Sequence, residues 1–144
     1  MLHFLIEEGA SNVPQLLQKR AWYNKYYNAC NKILGAKAPR ITVTVILTGD
    51  EQIKKLNARY RKLSRTTDVL SFYYGEDGMT GEGEVFISVP VALKQARRFE
   101  HSLEKEIARL VVHGIFHVYG YDHIKTEERR HMRALENAAL ALVP

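Results

Sequence analysis

The chain of 144 residues contains one cysteine, Cys30. That excludes an intramolecular disulfide and any zinc site built on several cysteines. A lone thiol suits a reducing compartment. Four prolines and nine glycines are too few for a collagen-like or low-complexity chain. No apolar run approaches the roughly 18 residues that a membrane helix needs. The short apolar start, Leu2 to Ile6, is interrupted by His3, has no basic lead and meets Glu7 and Glu8 at once, so it does not read as a signal peptide. The expectation left by these absences is a cytoplasmic protein with no membrane attachment. What is present agrees. With 46% hydrophobic and 26% charged residues the composition is that of an ordinary globular protein. A chain of about this length forms one domain, here residues 1–144, and can bury a core without staples.

Lys and Arg number 21 against 16 acids, a net charge of +5. A basic balance suggests a polyanionic partner, but where the charge sits decides more than the total.

The pattern along the chain predicts a strand at Leu2 to Glu7, then a helix from Ser11 to about Leu34 with Ser11 as its cap and Gly35 as its stop. The β-branched run Ile41 to Leu47 predicts a strand. Asp50 is a fair cap for a helix over Glu51 to Lys62. Val69 to Tyr73 and Glu84 to Ser88 read as strands, with a Gly- and acid-rich loop between them. Helices follow at Pro90 to Glu100, Ser102 to Tyr119 and Thr126 to Leu142. Helical crossovers favour parallel pairing of the first three strands, and the short connection before the fourth favours an antiparallel pair. The expected fold is α+β: a four-stranded mixed sheet, mostly parallel with one antiparallel strand, packed with about five helices.

The informative stretch runs from His113 to His123: His113-Gly-Ile-Phe-His117-Val-Tyr-Gly120-Tyr-Asp122-His123. Four residues apart on a helix, His113 and His117 share one face. Gly120 accepts the left-handed conformation that ends a helix, so the chain can turn and return His123 to the open end of the pair. Three imidazoles around a divalent cation leave a fourth position for water, which is the arrangement of a catalytic zinc site. The other histidines, His3, His101 and His131, have no spacing partner. Asp122 has two readings, to orient a ligand histidine or to cap the next turn. The histidine spacing equals that of the long zinc-peptidase motif, whose second residue is a general-base Glu. Here that place is Gly114, which cannot take a proton.

Lys54, Lys55, Arg59, Arg61, Lys62 and Arg65 lie within twelve residues that contain no acid, and Tyr60 sits among them. A solvated helix face is the plain reading. Phosphate contact, with Tyr60 to stack a base, is the functional one, and the metal site favours it by favouring a phosphodiester substrate. A second set, Lys94, Arg97, Arg98, Lys105 and Arg109, interleaves with Glu100, Glu104 and Glu106, as helix-surface ion pairs do. Glu76, Asp77, Glu82 and Glu84 read as a solvated loop, and Cys30 as a small apolar residue in the first helix.

The histidine stretch resembles the H-G-x-L-H-L-x-G-Y-D-H signature of the YbeY family of bacterial endoribonucleases. Leu56-Asn57-Ala-Arg-Tyr60-Arg61 with Thr67-Asp68-Val-Leu-Ser-Phe72 is similar to a second block of that family, and Gly83-Glu84-Val-Phe-Ile87-Ser88 to a third. Departures are Phe116 and Val118 for leucines, Tyr73 for a common Pro and Glu84 for Asp. The resemblance implies a zincin-like site with one Zn2+ per chain on His113, His117 and His123, and a functional Arg at Arg61. It implies single-stranded RNA as substrate, with a role in 3′-end maturation of small-subunit (16S) rRNA and in ribosome quality control. The implied partners are the small ribosomal subunit and its assembly factors. Two other readings stand beside it: a zinc-dependent peptidase, suggested by the spacing and opposed by Gly114, and a non-catalytic RNA-binding assembly factor with structural zinc. No residue reads as a general base, so attack by water and attack by the ribose 2′-hydroxyl both remain open.

Overall fold

The computed structural model describes residues 1–62 and 67–144. The regular elements are β1 (Leu2–Ile6), α1 (Arg20–Leu34), β2 (Arg40–Thr48), α2 (Asp50–Arg61), β3 (Val69–Tyr74), β4 (Thr80–Ser88), α3 (Val89–Arg98), α4 (Leu103–Val118) and α5 (Thr126–Ala141). The strands form one sheet in the order β1-β2-β4-β3. β1 and β4 run parallel to β2, and β3 runs antiparallel to β4. The mixed sheet with one antiparallel strand is as expected, but the antiparallel strand is the third rather than the fourth. Burial explains the exchange. Val85, Phe86 and Ile87 of β4 are covered on both faces, which suits a central strand. In β3 only Leu70 is fully buried, which suits an edge.

The two faces of the sheet are covered by different helices. Val43, Val45, Leu47, Val85 and Ile87 join the main core with α1, α4 and residues of α5. On the other face Ile46, Leu70 and Phe86 pack with Ile53 of α2. Cys30 is buried in α1, and burial pushes its thiol up. Among the described residues no helix is long and apolar enough to cross a membrane.

Three boundaries moved, each for a local reason. The first helix starts at Arg20, not at Ser11. Pro14 is extended, with ψ 147°, and after a 3-10 turn at Gln15–Gln18 the chain is extended again at Lys19. Proline also disfavours helical backbone in the residue before it. Second, α2 begins at Asp50 itself, with Gly49 as the cap. The Asp50 carboxylate instead accepts from Ser88 Oγ at 2.7 Å, which ties the start of α2 to the end of β4. Third, β4 starts at Thr80, so Glu82 and Glu84 are strand residues. The remaining loop is held by Asp77, whose Oδ1 accepts from Met79 N–H and Thr80 N–H, each at 2.9 Å.

Candidate metal centre

α4 starts at Ser102, whose hydroxyl accepts from Lys105 N–H at 3.1 Å. Ile107, Leu110, Val111, Ile115 and Phe116 bury its apolar face. Gly114 lies where the helix crosses β4. A Cβ built there would stand 2.4 Å from Val85 Cγ1 and 3.3 Å from Ser71 Oγ. The sheet therefore excludes any side chain at the place where the peptidase motif carries its base. Gly83 repeats the close approach one crossing later, since a Cβ there would meet Val118 Cγ1 at 2.4 Å.

His113 and His117 occupy the remaining, half-buried face of α4. The helix ends as its glycine predicts. Gly120 has φ 98°, and Gly120 N–H and Tyr121 N–H close on the carbonyls of His117 and Phe116 at 3.0 Å. The chain reverses and delivers His123. Ring centres lie 6.1 Å apart for His113 and His117, 5.3 Å for His113 and His123, and 5.7 Å for His117 and His123. Imidazoles with nitrogens about 2.0–2.1 Å from one zinc in a tetrahedral arrangement have centres roughly 5 Å apart, so modest closure makes three ligands of these rings. Among the described residues His117, Asp122 and His123 bring ligand atoms together, one from each within 4.8 Å of the others. His113 stands outside that group, with its ring centre 5.3 Å from that of His123.

The hydrogen bonds behind the rings suit a metal. His117 Nδ1 lies 3.0 Å from the Tyr121 carbonyl oxygen, which only accepts, so the proton sits on Nδ1 and Nε2 keeps its lone pair. His113 Nδ1 lies 2.6 Å from Glu136 Oε2, with the same consequence. A ligand histidine whose second nitrogen donates to a carboxylate or carbonyl is the usual outer arrangement of a zinc site. Burial holds the His117 pKa below its usual value, the His113 and His123 rings push the same way, and the Tyr121 carbonyl and Asp122 carboxylate offset only part of this. A neutral imidazole is the form that binds metal. The donor set fits zinc: borderline-soft imidazole nitrogens, half-buried at His113 and His117 and exposed at His123.

Asp122 bonds the backbone of its neighbour, while the N-cap of the following helix is Lys125. Asp122 Oδ1 accepts from the His123 backbone N–H at 2.7 Å, and it stands 3.8 Å from His123 Nδ1. His101 is spent on Glu106 at 2.8 Å, and His131 rests against the Tyr121 ring.

The basic run lies elsewhere. Lys54, Lys55, Arg59, Tyr60, Arg61 and Lys62 are exposed on or just after α2, on the face of the sheet opposite α4. Tyr60 leans edge-on against Phe72, with the Arg59 guanidinium 5.3 Å from its ring centre. Arg65 lies outside the described residues. The chain that leaves α2 at Arg61 rejoins the described structure at Thr67, and Asp68 then approaches α4. Asp68 Oδ2 accepts from Gln95 Nε2 at 3.2 Å and lies 3.8 Å from Arg109 Nη2, one helical turn before His113.

Sequence reasoning missed Glu136. It lies 23 residues after His113, on another helix, and no local spacing marks it. It also placed Glu106 on a helix surface. Glu106 is fully buried, paired with Arg109 at 2.6 Å and with His101. Burial alone would raise its pKa, but the hydrogen bonds and charges of Arg109 and His101 outweigh that and hold it below the usual carboxylate value.

Comparison with known proteins agrees with this site. The family model described as Endoribonuclease YbeY matches residues 6–143. An Endoribonuclease YbeY of Heliobacterium modesticaldum is 36% identical, over 92% of this chain and 89% of that one. One from Aquifex aeolicus is 48% identical, over 70% of this chain and 69% of that one. A Thermotoga maritima protein solved in solution superposes with TM-score 0.62 at 26% identity, covering 98% of this chain and 90% of that one. With this match from residue 6 to residue 143, the chain belongs to the YbeY endoribonuclease family.

Proposed function

We propose that the protein is a single-strand-specific, metal-dependent endoribonuclease, acting in the cytoplasm on the 3′ end of small-subunit (16S) rRNA and in ribosome quality control, with one Zn2+ held by His113, His117 and His123. The small ribosomal subunit and its assembly factors are the partners in this reading. The observation that carries it is the convergence of three imidazoles, two of them with Nδ1 already committed to an acceptor. Membership of a family whose relatives are named endoribonucleases supplies the substrate class.

Zinc on these nitrogens supplies a Lewis acid for a phosphoryl oxygen and lowers the pKa of a bound water. The protein's own residues do the rest. His113 and His117 are held in one tautomer by Glu136 and the Tyr121 carbonyl. Asp122 fixes the turn that returns His123. Arg61 neutralises charge on the phosphoryl group as a fifth oxygen joins it, a role that suits a guanidinium because it stays charged throughout. Its support is the family's Arg at this position, in the same block as Asp68, which lies 3.8 Å from Arg109 Nη2 of α4. Lys54, Lys55, Arg59, Lys62 and Arg65 track the backbone of the strand, and Tyr60 stacks a base. Gly114 packed on Val85 leaves no place for the peptidase base.

Elemental analysis and cleavage of a single-stranded RNA, run together, test this. The wild type should carry about one zinc per chain and cut the RNA. The His113→Ala, His117→Ala double variant should lose both properties. Arg61→Ala should keep the zinc and lose rate. A double variant that keeps its metal would sink the site assignment. Cleavage that survives metal loss would sink the metal-dependent mechanism.

A further inference from the structure

A cleft of about 710 Å³ lies between α1, α4 and α5, away from the basic run of α2. That is within the range of small-molecule sites, roughly 300–1,000 Å³. One wall is aromatic: Trp22 and Tyr26 of α1, with ring centres 4.8 Å apart. Lys105 of α4 and Arg133 of α5 stand at the exposed rim, and among the described residues neither side chain has an ion-pair partner. Asn137 adds an amide, and Glu136 a carboxylate. Glu136 belongs to two sites at once. It lines this cleft, and its Oε2 lies 2.6 Å from His113 Nδ1.

We propose that this cleft is a nucleotide subsite, with a base against the Tyr26 and Trp22 wall and a phosphate on Arg133 and Lys105. The wall mixes one large aromatic surface, two unpaired cations and hydrogen-bond acceptors. A ligand matching all three has a flat ring with N–H donors and an anionic group. A lipid headgroup and free phosphate both lack the flat ring. Stacking on an aromatic side chain holds any base, while the guanidinium and ammonium read the phosphate. The carboxylate of Glu136 and the amide oxygen of Asn137 accept from a base carrying an exocyclic amino group, so adenine, guanine and cytosine nucleotides bind ahead of uridine.

The nucleotide comes either from the strand being cut, next to the position at the metal, or from a free nucleotide that sets the state of Glu136 behind His113. The first source rests on the endoribonuclease reading. The second does not.

Trp22 is the chain's single tryptophan, so its fluorescence reports on this cleft alone. The experiment titrates the whole protein with adenosine, guanosine, cytidine and uridine 5′-monophosphates, with adenosine, and with inorganic phosphate. The expected result is a saturable change with the first three nucleotides. Uridine monophosphate, the nucleoside and phosphate should each bind about tenfold or more weakly. Arg133→Gln should weaken adenosine monophosphate about tenfold. Lys32→Gln removes one exposed charge from α1 outside the cleft and should change nothing. No saturable change, or binding undiminished in Arg133→Gln, overturns the proposal.

A short single-stranded oligonucleotide separates the sources. Weakened oligonucleotide binding in Arg133→Gln assigns the subsite to the strand, and unchanged binding assigns it to a free nucleotide. Because binding is read without cleavage, an inactive protein that still shows the nucleotide response breaks the endoribonuclease reading alone.

Discussion

In the first half of α4, Glu106 and Arg109 close on each other, on His101 and on Gln95. In the second half, two turns on, His113 and His117 spend one nitrogen each on Glu136 and Tyr121 and keep the other free. Both halves carry ionisable side chains on a helix packed against the same sheet. They differ in whether those side chains use up one another's hydrogen-bonding capacity. A cluster whose charged groups are spent on one another fixes structure, because its buried carboxylate already has its partners. A cluster that leaves ring nitrogens unspent can take up something that arrives later.

Breaking the saturated half should have the largest effect on stability. Arg109→Met strands a fully buried carboxylate with only His101 beside it. Removing one partner of a buried pair costs about 3 kcal/mol or more. Glu106→Gln should cost less, since the Arg109 side chain is 43% exposed and can turn to water. Urea denaturation of both variants checks the order. A cheaper Arg109→Met would mean that the pair is not the brace it looks to be. His117→Ala should lose its metal yet melt, metal-free, within about 1 kcal/mol of the metal-free wild type.

The seam between the two halves and the sheet is next. Gly114→Ala drives a methyl group into Val85, and overpacking of this kind costs about 1–3 kcal/mol. Val85→Ala on its own leaves a small cavity. Together the two changes should cost less than their sum, and a double-mutant cycle reads that difference directly. Additive costs would mean that α4 slides to make room, and that Gly114 does not set the height of the histidines over the sheet.

Glu136→Gln tests the supporting shell of the open half. The amide can still accept from His113 Nδ1, but without the charge. Zinc affinity should fall about 10- to 100-fold, with the fold intact by circular dichroism. Unchanged affinity would make Glu136 a wall of the cleft and nothing more for the metal.

Much of this contrast was legible in the sequence, but unevenly. His113, His117, Gly120 and His123 are close in the chain, and helical geometry with one glycine turn is enough to bring them together. The strands followed from β-branched runs, and the element order survived. The order of strands in the sheet did not, because it depends on which strand buries both faces, and that is settled by helices far away in sequence. Pro14 was visible, yet the apolar period from Val13 to Leu34 masked the break it imposes. Glu106 looked like any surface partner of Arg109, and only the packing of α3, α4 and the turn at His101 buries it. Glu136 had no local signal at all. Its meaning comes from α5 lying beside α4. The basic run was plain as a composition, but its helix α2 packs on the face of the sheet opposite α4, and no local spacing shows that.

The smallest effect is also the sharpest test of what saturation means. Glu106 is held below the ordinary carboxylate value, 4.5, by Arg109 and His101 against the pull of burial. A carboxylate whose pKa is lower in the folded state adds stability that is fully present above its unfolded value. That stability is lost as the pH falls through the folded one. Urea midpoints measured from about pH 5 down to about pH 3 should therefore fall for the wild type, and fall less steeply for Glu106→Gln, which has no proton to gain there. Parallel slopes would mean that other carboxylates govern acid unfolding and that the Glu106 pair contributes only its packing. The open half predicts the same sign for its own member, at higher pH. Burial holds the His117 pKa down, so protonation is resisted in the fold and destabilises it as the pH falls below the ordinary imidazole value of 6.5. In the metal-free protein that loss should begin at higher pH than the loss from Glu106, and His117→Ala should remove it while leaving the carboxylate limb in place.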